Sequence, residues 1–177
     1  MDHNDHVRLL HKGIAETGGV WADLGSGSGA FTLALADLLG PSARIYSVDK
    51  DQRVLNLQER ELSSRFPQVS VQYMHADFMR ALDLPLLDGI IMANSLHFVR
   101  QKDALLRQIH GYLKPEGRLL LVEYNTDRSN TWVPYPLSFP TWQTLAELHG
   151  FARTTLLEDR PSRHLGSIYS ALSFATN

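Results

Sequence analysis

Residues 20–36, VWADLGSGSGAFTLALA, restrict this chain more than any other stretch. Val20 to Leu24 is β-branched and apolar enough for a buried strand. Gly25, Gly27 and Gly29 follow at alternate positions, and Phe31, Ala34, Leu35 and Leu38 then recur at helical spacing. Each glycine costs roughly 0.5–1 kcal/mol of ordering entropy where the geometry does not demand it, so a bare turn has little use for three. A strand, tight loop and helix of this kind let backbone touch a ligand, with the free N–H groups of the helix facing it. A dinucleotide fingerprint wants its third glycine one residue later, where Ala30 stands. Asp23 would repel a pyrophosphate and suits a cationic ligand, which disfavours a nicotinamide dinucleotide.

The remaining chain alternates strand and helix patterns. Val7, Leu10 and Ile14 mark one face of an N-terminal helix ended by Gly18-Gly19. Ala43 to Val48 reads as a second strand ending in Asp49, placed to offer a carboxylate to the ribose hydroxyls of an adenosine. Asp51 reads as the cap of a helix over Gln52 to Phe66 with Leu55, Leu62 and Phe66 as its buried stripe. Val69 to Met74 alternates as a third strand before Asp77 and Phe78, and Leu87 to Ala93 forms a fourth before Asn94, Ser95, Leu96, His97 and Phe98. A helix carrying Ala104, Leu105, Ile109 and Leu113 leads through a Lys114–Gly117 turn to a fifth strand, Arg118 to Tyr124. Residues 125–140 hold three prolines with Trp132, Tyr135 and Phe139, too broken for a regular element. Thr141 begins a helix ended at Gly150, and Arg153 to Glu158 and Ile168 to Ala175 read as two strands joined by Asp159 to Ser167.

The run DLGSGSG resembles the first motif of class I S-adenosylmethionine-dependent methyltransferases, with its acid two positions before the first glycine. LKPEGRLLLVE, from Leu113 to Glu123, resembles their fifth-strand motif. NSLHF, from Asn94 to Phe98, is similar to the fourth motif of the small-molecule, quinone-biosynthesis subgroup. It lacks the prolines of enzymes that methylate adenine or glutamine nitrogen.

The resemblance implies an α/β fold, Rossmann-like and doubly wound: seven strands, mostly parallel, the last antiparallel, helices on both faces, residues 1–177 forming one domain. It implies S-adenosylmethionine as cofactor, with S-adenosylhomocysteine as product. The cofactor would be held by Asp23, Gly25, Ser26, Gly27, Gly29, Asp49, Lys50 and Asn94, with Asp77 accepting from the adenine amino group and Phe78 against its ring. Such chemistry is an in-line displacement dominated by alignment. An acceptor with a poor nucleophile would need a base, for which His97 and Tyr124 stand in position. Trp132 and Tyr135 in the 125–140 loop, and Arg160, Arg163 and His164 in the last hairpin, are the substrate-side candidates. A small-molecule acceptor is the main expectation, with a macromolecular acceptor or a non-catalytic binding subunit as alternatives. The short stretch 1–19 before the first strand suggests an open site.

Lys and Arg number 17 against 19 Asp and Glu, with no basic run, so nothing recommends a nucleic-acid partner. Cysteine is absent, which excludes thiolate metal sites, a cysteine nucleophile for cytosine carbon 5 and the thiol-dependent route to methylated arsenic. His3, His6 and His11 lack carboxylates at ligand spacing, so no metal is expected. No apolar run has the length of a signal peptide core or a membrane span, from which a cytoplasmic location away from membranes is expected. Oligomeric state leaves no trace in the sequence.

Overall fold

Apolar residues switch repeatedly between a period of two and a period of three to four, and the backbone follows them. The elements in order are α1 (His3–His11), β1 (Gly19–Leu24), α2 (Ala30–Leu39), β2 (Ala43–Asp49), α3 (Gln52–Arg65), β3 (Ser70–His75) and β4 (Leu87–Ala93). After a 3-10 turn at Leu96–Phe98 come α4 (Lys102–Tyr112), β5 (Leu113–Tyr124), α5 (Phe139–Leu148), β6 (Phe151–Pro161) and β7 (Ser167–Ala175). This computed structural model describes residues 1–162 and 165–177. The seven strands form one sheet in the order β3-β2-β1-β4-β5-β7-β6. The pairs β1–β2, β2–β3, β1–β4 and β4–β5 are parallel, and β7 runs antiparallel to both neighbours. The expected doubly wound sheet with a reversed last strand is therefore the observed one.

Side chains alternate across the pleat, so the sheet carries two cores. Trp21, Ile45, Ile91, Leu120 and Val122 face α1 and α2, whose Leu9, Leu10, Phe31 and Leu35 cover them. Ala22, Leu24, Ile90, Leu119 and Leu121 face the other way, under Leu105, Leu106 and Ile109 of α4 and Trp142 of α5. Burial of both faces accounts for the near-continuous apolar runs in β4 and β5. The outer strand β6 is broken by register shifts at Ala152/Thr155 and Leu156/Glu158, with Arg153 at φ 53°. Such bulges deter pairing with another chain at an open edge. Among the described residues, no helix is long and apolar enough to cross a membrane.

Some boundaries differ from the sequence expectation. Helix α1 stops at His11 and leaves Ile14 outside, because the chain turns at Gly13, where a Cβ would lie 2.2 Å from Leu120 Cδ2. Strand β5 begins at Leu113, and the expected Lys114–Gly117 turn is an irregularity within it: Leu87 pairs Leu113, then Gly89 pairs Arg118. Helix α5 starts at Phe139, with the Ser138 hydroxyl accepting from Thr141 N, so the proline-rich loop is shorter than its composition implied.

Trp21 on β1 lies directly opposite Gly89 on β4, and a Cβ at Gly89 would fall 2.2 Å from Trp21 Cζ3. The indole fills the room a side chain would need. Gly89→Ala is therefore expected to lower stability by about 1–3 kcal/mol, the usual cost of overpacking a filled core. Urea denaturation measures it, and an unchanged midpoint and slope would refute the packing account.

Candidate active site

Strand order reverses beside β1: the chain runs outward to β3, then returns to place β4 on the other flank of β1. Connections leaving the carboxyl ends of β1 and β4 diverge here, and a crevice opens between them. The resulting cleft, about 360 Å³, is lined by Gly25 and Gly27 after β1, Asp49 and Lys50 at the end of β2, and Asp77, Phe78 and Met79 after β3. Asn94, Ser95, Phe98 and Val99 after β4 close it. Seven of the expected cofactor residues, namely Gly25, Gly27, Asp49, Lys50, Asp77, Phe78 and Asn94, thus share one cavity.

Hydrogen bonds shape its walls. Gly25 N and Ser26 N both donate to the Val48 carbonyl, at 2.9 and 3.0 Å. Asp49 Oδ2 accepts from Gly27 N at 2.8 Å and Oδ1 from Asp51 N at 2.9 Å, so the carboxylate is held in a fixed orientation at the cleft. Asp77 Oδ1 accepts from Met79 N at 2.9 Å, and Gln108 Nε2 of α4 donates to the carbonyls of Phe78 and Arg80. Ser95 Oγ donates to the Leu24 carbonyl at 2.8 Å. Asn94 adopts φ 52°, and its Oδ1 is buried with no hydrogen-bond partner among the described residues. A buried acceptor left open in a cavity wall costs free energy unless a ligand meets it.

Three expected cofactor residues stand behind the cleft. Asp23 is 1% exposed and does not line the cleft; its Oδ2 accepts from Thr32 Oγ1 at 2.6 Å. The pleat is the reason, since Asp23 shares the face of Trp21, beneath α2. Burial pushes its carboxyl up to about 7; the Thr32 hydrogen bond opposes this and the charge of Asp49 adds to it. Ser26 is buried and turns its hydroxyl toward Ser47 and Gln58. Gly29 caps α2 at φ 87°, where a Cβ would meet Gln58 Cγ at 2.3 Å.

Beyond Asn94, His97 is 3% exposed, with Nδ1 2.6 Å from Glu123 Oε2. Glu123 is fully buried at the end of β5 and accepts from His97 N through Oε1 at 3.1 Å. Both carboxylate oxygens thus serve one histidine. The His97 ring lies 4.3 Å from Phe98 and 6.2 Å from Tyr124, centroid to centroid. Burial first, and then the charge of Glu123, raise the Tyr124 phenol above its ordinary range, so at neutral pH it stays protonated.

The 125–140 segment folds back over this region. Tyr135 N donates to the His97 carbonyl at 3.0 Å, and Lys102 Nζ donates to the carbonyls of Val99 and Tyr135 at 2.8 and 3.0 Å. The Lys102 ammonium lies 5.9 Å from the centroid of the Tyr135 ring. Trp132, 82% exposed, lines a second hollow of about 420 Å³ with Tyr124, Asn130, Val133 and Leu165. Arg160 pairs with Asp5 of α1 at 2.8 Å and borders a third hollow that also reaches Tyr124. Arg163 and His164 lie outside the described residues.

Sequence reading missed Gln58 and Glu123. Gln58 falls three residues after Leu55 and four before Leu62, on the stripe that packs inward. Glu123 continues the inward alternation of Leu119 and Leu121. Both signals are available: a polar group at a position the periodicity reserves for the core needs a partner.

A family model described as a methyltransferase domain matches residues 22–117. Arsenite methyltransferase of Aquipseudomonas alcaligenes is 31% identical over 158 residues, 78% of this chain and 46% of that protein. The ubiquinone/menaquinone biosynthesis C-methyltransferase UbiE of Pasteurella multocida is 33% identical over 105 residues, 58% of this chain and 39% of its own length. The chain spans about half or less of the length of these curated relatives. A crystal structure of a SAM-dependent methyltransferase from Aquifex aeolicus superposes with a TM-score of 0.73 at 18% identity, covering 97% of this chain and 90% of that one, a likeness of fold.

Asp23 generates a pH dependence. An acid held at about 7 when folded binds a proton that the unfolded chain has released above 3.8, so stability falls as pH climbs through that interval. Asp23→Asn removes the fall. Its advantage over the wild type is expected to grow between pH 5 and pH 8, by at most about 3 kcal/mol. Urea titrations at the two pH values test this, and an offset independent of pH would contradict it.

Proposed function

The chain belongs to the class I S-adenosylmethionine-dependent methyltransferase family, of the quinone-biosynthesis type, and on that premise we propose that it methylates a small molecule bearing a proton it must lose. The observation that carries the donor assignment is the convergence on one cleft of Gly27, Asp49, Asp77 and the orphaned Asn94 Oδ1. These residues fit the donor. Asp49 keeps lone pairs for two ribose hydroxyls beyond those given to Gly27 and Asp51. Asp77 suits a base amino group, with Phe78 suited to its ring. The buried oxygen of Asn94 suits a cationic group. When bound, such a donor supplies a methyl group already activated on a positively charged sulfur.

The protein's own part is alignment and proton removal. Glu123 accepts the Nδ1–H of His97, which leaves Nε2 as the basic nitrogen and stabilises the imidazolium once it has taken a proton. His97 Nε2 has no hydrogen-bond partner among the described residues, and a base of this kind contributes roughly 10²–10⁴ in rate. The acceptor enters the hollow of Tyr124, Trp132 and Val133, and Tyr124 forms a wall rather than a second base. A carbon acid or phenol needs a base, whereas an amine or thiolate does not. The relatives named as C-methyltransferases agree with a carbon acceptor. Arsenite is disfavoured, since the 177 residues offer no thiolate to hold it.

Calorimetry with S-adenosylmethionine, S-adenosylhomocysteine and NAD is expected to show binding of the first two alone, weakened at least tenfold in Asp49→Ala. Preference for NAD would overturn the assignment. With radiolabelled donor and a panel of phenols and carbon acids, His97→Ala is expected to lower turnover by roughly 10²–10⁴ and leave S-adenosylhomocysteine affinity within about twofold. Undiminished turnover would remove His97 as the base.

A further inference from the structure

Gly27 sits at the middle of the donor loop with φ 53° and open space, nothing within 4 Å, where a side chain would begin. No packing from that direction holds it. Two hydrogen bonds do: its N–H donates to Asp49 Oδ2 at 2.8 Å, and its carbonyl accepts from Gln58 Nε2 at 3.2 Å. The first lies on the ligand side. The second comes from behind, from a fully buried amide on α3. Gln58 Nε2 also donates to Ser26 Oγ at 3.2 Å, and its Oε1 accepts from Ser47 Oγ of β2 at 2.6 Å. One side chain thus ties helix, strand and loop together, and its Cγ stands where Gly29 would carry a Cβ.

We propose that Gln58 is a positioning residue for the donor site: it acts through the Gly27 carbonyl to hold the loop in its binding conformation before the donor arrives. This rests on the donor assignment above. Glycine has the largest conformational freedom to lose, so a loop released at Gly27 must be ordered by the ligand, at the expense of affinity. Losing one such hydrogen bond and that order corresponds to an affinity about tenfold weaker. Gln58 touches no donor atom in this account. Ser47 is the internal control, since its hydroxyl belongs to the same buried network but does not reach Gly27.

The test compares wild type, Gln58→Met, Gln58→Asn and Ser47→Ala by calorimetry with S-adenosylhomocysteine, by thermal denaturation, and by hydrogen exchange over residues 24–31 without donor. Gln58→Met keeps the volume and removes the hydrogen bonds; Gln58→Asn keeps an amide too short to reach, and serves should the first variant fail to fold. About tenfold weaker binding and faster exchange of 24–31 are expected in the Gln58 variants. Ser47→Ala should lose comparable thermal stability and keep its affinity within twofold. Equal affinity in a folded Gln58 variant, or affinity that tracks thermal stability across all variants, overturns the proposal. Should the wild type bind no S-adenosylhomocysteine, the donor assignment fails, and exchange over 24–31 still decides whether Gln58 holds the loop.

Discussion

At the carboxyl edge of the sheet, parallel strands end together, and their last backbone groups lose the partners the ladder gave them. Buried N–H and C=O groups must find others. Gly25 N and Ser26 N turn back to the Val48 carbonyl, Ala76 N to Asp49 O and Asn94 N to Val122 O, while Ser95 Oγ meets the Leu24 carbonyl. Each of these bonds links the loop after one strand to the end of its neighbour. The fringe they form borders the cleft, so the cleft is anchored to the strand pairing beneath it. Hydrogen bonding that finishes the sheet also builds the site.

Two buried acids show how the same fold settles different electrostatic problems. Glu123 has both oxygens matched by His97, through its ring and its backbone. Asp23 has only the Thr32 hydroxyl and lies near the charge of Asp49, so burial keeps its proton affinity high. An acid of the first kind is ready to support an imidazolium; one of the second kind is a structural tie between β1 and α2 with a stability cost at high pH. Both stand on strands, where the backbone holds them more firmly than a loop would.

The 125–140 side of the sheet edge is built differently. The 125–140 segment has little regular structure, yet it is fastened at several points: Tyr135 to His97 and Lys102, Ser138 to Asp127, and Phe139 N to Asn125 Oδ1. Tyr169 OH adds a bond to the Leu137 carbonyl from β7. Trp132 remains exposed at the rim of this fastened loop.

The order and kind of elements were legible in the sequence because local periodicity sets them: β4 over Leu87–Ala93 coincides with its apolar run, and β2 ends at Asp49 where the pattern stops. The glycine spacing and the acids of β2 and after β3 marked residues that line one cleft, since parallel βαβ units bring those strand ends to one edge. What each side chain faces was another matter. Asp23 was expected at the ligand and lies beneath α2, Gln58 was unremarked and holds the loop, and Glu123 became the partner of His97 only when β5 came to lie beside β4. Local sequence determines a residue's place on its own strand or helix; which buried polar group meets which is decided by contacts between segments far apart in the chain, and those exist only once the sheet has formed.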